Sequence, residues 1–239
     1  MNSTAKISFI IPIYKSEKFI SRCLSSISKN CNDVAFEIII VNNDKSNFNF
    51  PSEIKKINLE KNLGYGSACN RGAKIATEEI LCFLNPDTEI LDDASEVINY
   101  FENNENAGII GAKLVTSENK TQPWCAGKEM KFCDLFRNKL GFSRSKKIWE
   151  SSKEIECDWV SGACLFIRKN IFEELNGFDE KFFMYFEDMD LCKRTRNLGH
   201  KIIYFPKFHV KHFGGKSFSN KFKQKKQYYS SLIHYLSKK

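Results

Sequence analysis

The stretch ISFIIPIY, residues 7–14, is apolar at almost every position. FEIIIV (36–41) repeats the pattern, and EILCFL (79–84) does so again. A strand with one wet face alternates apolar and polar residues, whereas a strand covered on both faces is apolar throughout. Helix-like segments lie between and after these runs. They are an amphipathic stretch from Ser16 to Ser28, YGSACNRGAKIA (65–76) opened by glycine, and DDASEVINYFEN (92–103) with acids in its first turn. KKINLE (55–60) reads as a weaker strand. Apolar strands alternating with helices predict an α/β fold whose parallel sheet is flanked by helices on both faces.

The pattern changes near residue 115. From Thr116 to Cys157 the chain is polar, irregular and rich in Lys, with Trp124 and Trp149 but no long periodic segment. A stretch of that length in a compact domain is usually functional or disordered. CDWVSGACLFIR (157–168) reads as a strand, and KIIYFP (201–206) and KFHVKHFGG (207–215) as two late strands. The layout predicted is one domain spanning 1–239. A nucleotide-binding half (1–115) is completed by a partner-binding half (116–217) and a basic C-terminal helix (218–239).

Composition narrows the function classes. The chain has 239 residues, 21 of them Phe, enough for a sizeable core. No apolar run is long enough to span a bilayer. The start, MNSTAKISFIIPIYKSEKF, is broken by Pro12 and lacks a small-residue cleavage pattern, so it reads as a first strand and not a signal peptide. The nine cysteines contain no C-x-x-C pair and suit reduced thiols in a cytosolic protein. The net charge is +8, with part of the excess in KSFSNKFKQKKQYYSSLIHYLSKK (216–239). That segment is either a solvated basic helix or one attached to an anionic membrane surface. No nucleic-acid module is recognisable.

In open α/β sheets, ligands bind beyond the carboxyl ends of the strands. IPIYKSE, VNNDKS (41–46) and LNPDT (84–88) fall at such ends. In the last, Pro86 restrains the backbone and Asp87 is presented either as a lone carboxylate or within an Asx-type turn. A divalent cation beside a diphosphate needs few protein ligands. NLGYGSACNRG (62–72) has glycines that let the backbone approach a ligand, but it matches neither G-x-G-x-x-G nor a Walker loop. Asn62 and Asn70 are candidates for reading sugar or base hydroxyls.

FFMYFEDMDLCKR (182–194) places three carboxylates behind an aromatic cluster. On a helix, Asp190 meets Arg194 or Lys193. Asp188 points elsewhere and has no such partner. It is either a general base facing a cleft or part of an ordinary acidic first turn. His209 and His212, three apart on a strand, face opposite ways, so at most one joins Asp87.

The ordered set IIPIY, VNND, NLGYG…NRG, LNPDT, WVSGACLFIR, GFDEKFFMYFEDMDL and HVKHFGG resembles family 2 glycosyltransferases. It looks most like bacterial rhamnosyltransferase-type members that build O-antigen and other surface glycans. The resemblance implies a GT-A fold, with a mostly parallel nucleotide-binding sheet and a smaller acceptor-binding region. It implies inverting transfer of a sugar from a nucleotide diphosphate donor to a glycan or lipid-linked glycan, with Mg²⁺ or Mn²⁺. L-Rhamnose is the donor sugar favoured. UDP-hexose or UDP-galactofuranose, and a catalytically silent sugar-nucleotide binder, are the alternatives.

Carried over by position, Pro12, Tyr14, Asn42, Asn43, Asn62, Gly64, Tyr65, Asn70 and Asn85 belong to the donor pocket. Trp159, Ser161, Gly162 and Ala163 line the sugar and acceptor region. Asp87 and His212 match the metal ligands, and Asp188 matches the base, with Glu187 beside it to orient the acceptor. Two positions depart from the family pattern. Asn42 replaces an aspartate yet keeps a carbonyl acceptor for the N3–H of uracil or thymine. Asn85 replaces the first carboxylate of the D-x-D motif.

Overall fold

The computed structural model describes residues 6–32, 34–44, 49–129, 143–214 and 221–238. The first apolar runs form β1 (Lys6–Ile13), β2 (Ala35–Asn42), β3 (Lys55–Asn58) and β4 (Ile80–Leu84), all parallel, in the order β3-β2-β1-β4. Helices α1 (Glu17–Asn30) and α2 (Tyr65–Ala73) lie in the connections. Helix α2 packs directly on β1 because position 72 is glycine, where a Cβ would come within 2.5 Å of Ile10.

Beyond β4 follow β5 (Thr88–Ile90), α3 (Ser95–Asn103), β6 (Ala107–Val115), β7 (Ala126–Gly127) and α4 (Lys146–Trp149). Then come β8 (Ile155–Cys157), β9 (Trp159–Val160), β10 (Cys164–Arg168), α5 (Lys169–Glu174), α6 (Glu187–Asn197), β11 (Lys201–His212) and α7 (Lys221–Ser237). The sheet continues past β4 as β10-β6-β11-β5, with β8 also on β11. Strand β10 runs antiparallel to both neighbours, while β6 and β11 are parallel. One continuous core fills this α/β architecture, with Phe9, Phe83, Phe166 and Phe208 fully buried.

Three expectations are corrected and one strand was missed. The predicted strand 157–168 is three short pieces. Val160 lies over Gly111, where any Cβ would overlap it, and a turn at 161–163 then carries the chain into β10. The two late strands are one, β11. Pro206 cannot donate to the ladder, and pairing with β6 shifts register between Phe205 and His209 before resuming. Helix α3 starts at Ser95, because Asp93 accepts the Ser95 N–H in an Asx turn, so the two aspartates precede the first turn. Strand β6 was not foreseen, although AGIIGAKLV is buried along nearly its whole length. The eight described cysteines are free and buried. No helix among the described residues is long and apolar enough to cross a membrane.

Candidate active site

The loop after β4 presents Asp87. Thr88 Oγ1 donates to Asn85 O at 2.6 Å, closing the loop, and the backbone N–H of Phe213 donates to Asp87 O at 3.0 Å. The Asp87 side chain is buried. Its Oδ2 has no hydrogen-bond partner among the described residues, and its Oδ1 lies 3.4 Å from His212 Nε2. His212 Nδ1 faces Gln122 Oε1 at 3.0 Å. An amide oxygen only accepts, so this contact favours a proton on Nδ1, the tautomer in which a neutral ring offers Nε2 as a ligand. Nε2 and one carboxylate oxygen face each other, with a second, orphaned carboxylate oxygen alongside. This donor set fits a divalent cation. The described residues hold no cluster of three or more His, Cys, Asp or Glu side chains, so the pair supplies only part of a coordination shell. His209, on the other face of β11, pairs with Asp92 instead.

Asp188 lies at the start of α6. Its Oδ2 accepts the Gly162 N–H at 2.8 Å and its Oδ1 the Met189 N–H at 2.8 Å. Burial pushes its carboxyl above the usual range, and these two N–H groups oppose the rise. Glu187 is buried, and its Oε2 has no partner among the described residues. Burial, then the neighbouring Asp188 charge, hold its carboxyl well above the usual range. The N–H donors at Asp188 favour its anion over that of Glu187, which has none at Oε2 among the described residues.

The turn into α6 is strained. Tyr185 and Phe186 both adopt left-handed backbone, with φ of 70° and 68°. Helix α7 holds them there. Ser231 Oγ donates to Met184 O at 2.7 Å, Gln224 donates to the Tyr185 hydroxyl, and Tyr228 and Tyr235 pack on Phe186. The basic C-terminal helix is thus docked along one side, not wholly solvated. Asp190 makes the predicted pair with Arg194, in a buried setting. It is 2% exposed and binds Arg194 at 2.8 Å and Lys238, while Lys193 pairs with Glu129.

Residues 161–163 join the two carboxylate centres. Gly162 N–H meets Asp188, Gly162 O accepts from the Tyr65 hydroxyl at 2.5 Å, and Ala163 O accepts the Asn85 N–H at 2.9 Å. Ser161 Oγ accepts the Ala163 N–H. Trp159 is buried with its indole N–H donated to Lys128 O.

The strand ends of β1 and β2 carry the other candidates. Pro12 is buried in β1 opposite Val41. Tyr14 is half-buried just beyond, and the neighbouring Lys15 N–H reaches Asp44 at 2.6 Å, joining the two loops. Asn42 donates to Asn58 and accepts the Asp44 N–H. Asn43 donates to Asn62 and to Gly64 O and accepts the Leu63 N–H. Gly64, at φ 91°, lets Phe183 O reach the Tyr65 N–H, and a Cβ would overlap that carbonyl. The Asn70 amide is engaged by Phe178 N–H, Phe178 O and Glu180, and staples the 177–180 loop. Gln122, the partner of His212 Nδ1, was missed. It stands 90 positions away in an irregular segment, where nothing local marks it.

The profile of glycosyl transferase family 2 matches residues 8–175. The chain belongs to this family. Rhamnosyltransferase WbbL of Escherichia coli K12 is 30% identical over 58% of this chain and 53% of its own length. The low-salt glycan biosynthesis hexosyltransferase Agl10 of Haloferax volcanii is 27% identical over 80% and 61%. The dTDP-rhamnosyl transferase RfbF of Shigella flexneri is 25% identical over 79% and 66%. The chain thus spans between half and two-thirds of these relatives. Among solved structures, GalNAc-T7 with UDP, GalNAc and Mn²⁺ superposes with a TM-score of 0.70 at 13% identity, covering 90% of this chain and 45% of that one. Staphylococcus aureus TarS 1–349 with UDP gives 0.61 at 19% identity, covering 88% and 61%. The fold is that of the GT-A glycosyltransferases.

Proposed function

We propose that this family 2 member transfers a sugar, with L-rhamnose the first candidate, from a nucleoside diphosphate to a hydroxyl of a growing bacterial surface glycan, inverting the anomeric centre. One observation carries the reading. A single short turn, 161–163, touches both the Asp188 carboxylate and the loop of Asp87, which are a hundred positions apart. Such an arrangement suits a displacement needing a base on the acceptor side and charge neutralisation on the diphosphate side.

In that reaction the acceptor oxygen attacks the anomeric carbon, the bond from that carbon to the diphosphate oxygen breaks, and the nucleoside diphosphate leaves with the electron pair. Asp188 takes the proton from the attacking hydroxyl. Its two N–H donors keep the carboxylate aimed, and its raised proton affinity makes it a better base at neutral pH. Protonated Glu187 donates a hydrogen bond to the acceptor. Asp87 and His212 would hold Mg²⁺ or Mn²⁺, which supplies charge neutralisation to the leaving diphosphate. The loops of Tyr14, Asn42 and Asn43 would receive the base and ribose. The rhamnosyltransferase names among the relatives support the donor, and the Mn²⁺ and UDP complexes of GT-A neighbours support the metal and nucleotide. The acceptor would be lipid-linked, at the inner face of the cytoplasmic membrane.

The test has two parts. Thermal stabilisation is measured with dTDP-rhamnose, UDP-hexoses and UDP-galactofuranose, with and without Mn²⁺. The donor identified is then used in single-turnover transfer by wild type and Asp188→Asn. Expected are Mn²⁺-dependent stabilisation, greatest with dTDP-rhamnose, and a fall in turnover of about 10²-fold or more with donor affinity within a few-fold. A fully active Asp188→Asn removes the base assignment. Binding with no transfer to any lipid-linked glycan makes the protein a silent sugar-nucleotide binder.

A further inference from the structure

Helix α7 has two faces of different chemistry. Ser231, Leu232 and Tyr235 are buried on the inner face, against the turn that leads into Asp188. The opposite face carries an apolar row, with Phe222 at 76% exposed, Tyr229 at 55%, Ile233 at 68% and Leu236 at 39%. Steps of seven, four and three residues keep these side chains on one stripe of an α-helix. Lys225 and Lys226 fall within the same stripe and are exposed, as are Lys221 and Lys223 at the helix start. The helix contains no acidic residue.

An apolar stripe set among lysines matches a helix lying in a lipid interface. Its rings and alkyl groups sit among the acyl chains while the ammonium groups stay at the phosphates. A second copy would bring the same lysines against these and be repelled. We propose that the outer face of α7 docks on an anionic lipid bilayer. The same helix clamps the strained turn before Asp188, so docking would fix the orientation of the base relative to the bilayer. The lipid contact rests on the helix alone; only its use in presenting a lipid-linked acceptor depends on the transfer reaction.

Removing α7 would also release the Ser231 and Lys238 contacts, so the test uses exposed substitutions in the full chain. Wild type, Tyr229→Ser/Ile233→Ser and Lys225→Glu/Lys226→Glu are co-sedimented with vesicles of phosphatidylcholine alone and of phosphatidylcholine mixed with phosphatidylglycerol. Expected are clear preference of wild type for the anionic vesicles at low salt and a loss of about tenfold or more in each variant. Melting temperatures should match, since none of these side chains is buried. Equal vesicle binding by all three proteins, or no preference for anionic lipid, overturns the proposal. A wild-type dimer in sedimentation velocity that the Tyr229→Ser/Ile233→Ser variant dissociates would assign the face to a second copy, and overturns it equally.

Discussion

His212 Nε2 lies 3.4 Å from Asp87, and Gln122 Oε1 sits 3.0 Å from the other ring nitrogen, where an acceptor favours the tautomer that leaves Nε2 open to a cation. An orienting partner of this kind sets both the tautomer and the ring angle of a metal-binding histidine, and its loss weakens metal affinity by about 10–100-fold. Gln122→Leu should therefore weaken Mn²⁺-dependent binding of a nucleoside diphosphate by that order without lowering metal-free nucleotide binding. Calorimetric titration with and without Mn²⁺ checks it. Equal Mn²⁺ dependence in wild type and variant would detach Gln122 from the metal pair. Asp87→Ala should abolish the dependence, since it removes the charged member.

At the scale of the element, α6 is held by more than its own hydrogen bonds. Asp190 binds Arg194 one turn on, and Arg194 also donates to Leu175 O and Gly177 O, while Lys238 at the end of α7 reaches Asp190 and Asp179. One buried carboxylate thus links α6, α7 and the loop after α5. Removing it leaves Arg194 its two carbonyl acceptors and Lys238 its Asp179 partner, so the loss is that of charge-assisted hydrogen bonds, about 1.5–3 kcal/mol. For a chain of this size, that corresponds to a fall in melting temperature of roughly 3–12 °C. Asp190→Ala should show such a fall by calorimetry, whereas Lys120→Ala, which removes an exposed pair with Glu118, should be nearly silent. A shift within a degree or two for Asp190→Ala would show that α6 is held by packing alone.

For the whole molecule, the carboxylates divide by the sign of their shifts. Burial alone would raise Glu37, but Lys55, Ser8 and Thr77 bind it across β1, β2 and β3 and bring its carboxyl down to about 2. Asp179 is likewise depressed, since Lys238, the Lys181 N–H and His234 outweigh its burial. Depressed groups contribute stability that is present above their unfolded values near about 4 and is lost as pH falls through their folded ones. Glu187 and Asp188 act oppositely. Their raised carboxyls favour the folded state at low pH, and that contribution disappears as pH rises through their range. Urea midpoints should therefore fall steeply below about pH 4, and Glu37→Gln should be less stable at neutral pH with a shallower acid fall. A variant whose acid fall is as steep as that of wild type would show that Glu37 does not carry this dependence.

Much of the amino-terminal half was legible because burial on both faces leaves a local mark. β4 is apolar along its whole length and β1 and β2 along most of theirs, and residues within one turn decide α1 and α2. Asp188 could be singled out for the same reason: i,i+4 spacing accounts for Asp190 and leaves Asp188 without a helical partner. The antiparallel insertion of β10 between β4 and β6 left no such mark, nor did the joining of two apparent strands into β11. The partners of the buried polar groups were also hidden. Asp188 meets Gly162, His212 meets Gln122, and Asn70 meets Phe178, at separations of 26, 90 and 108 residues. The sequence by itself determined the α/β pattern and the residue types able to do the chemistry, because propensity and side-chain periodicity act within a few positions. Tertiary structure alone decided which buried donor meets which acceptor, because that pairing depends on how the long connections close.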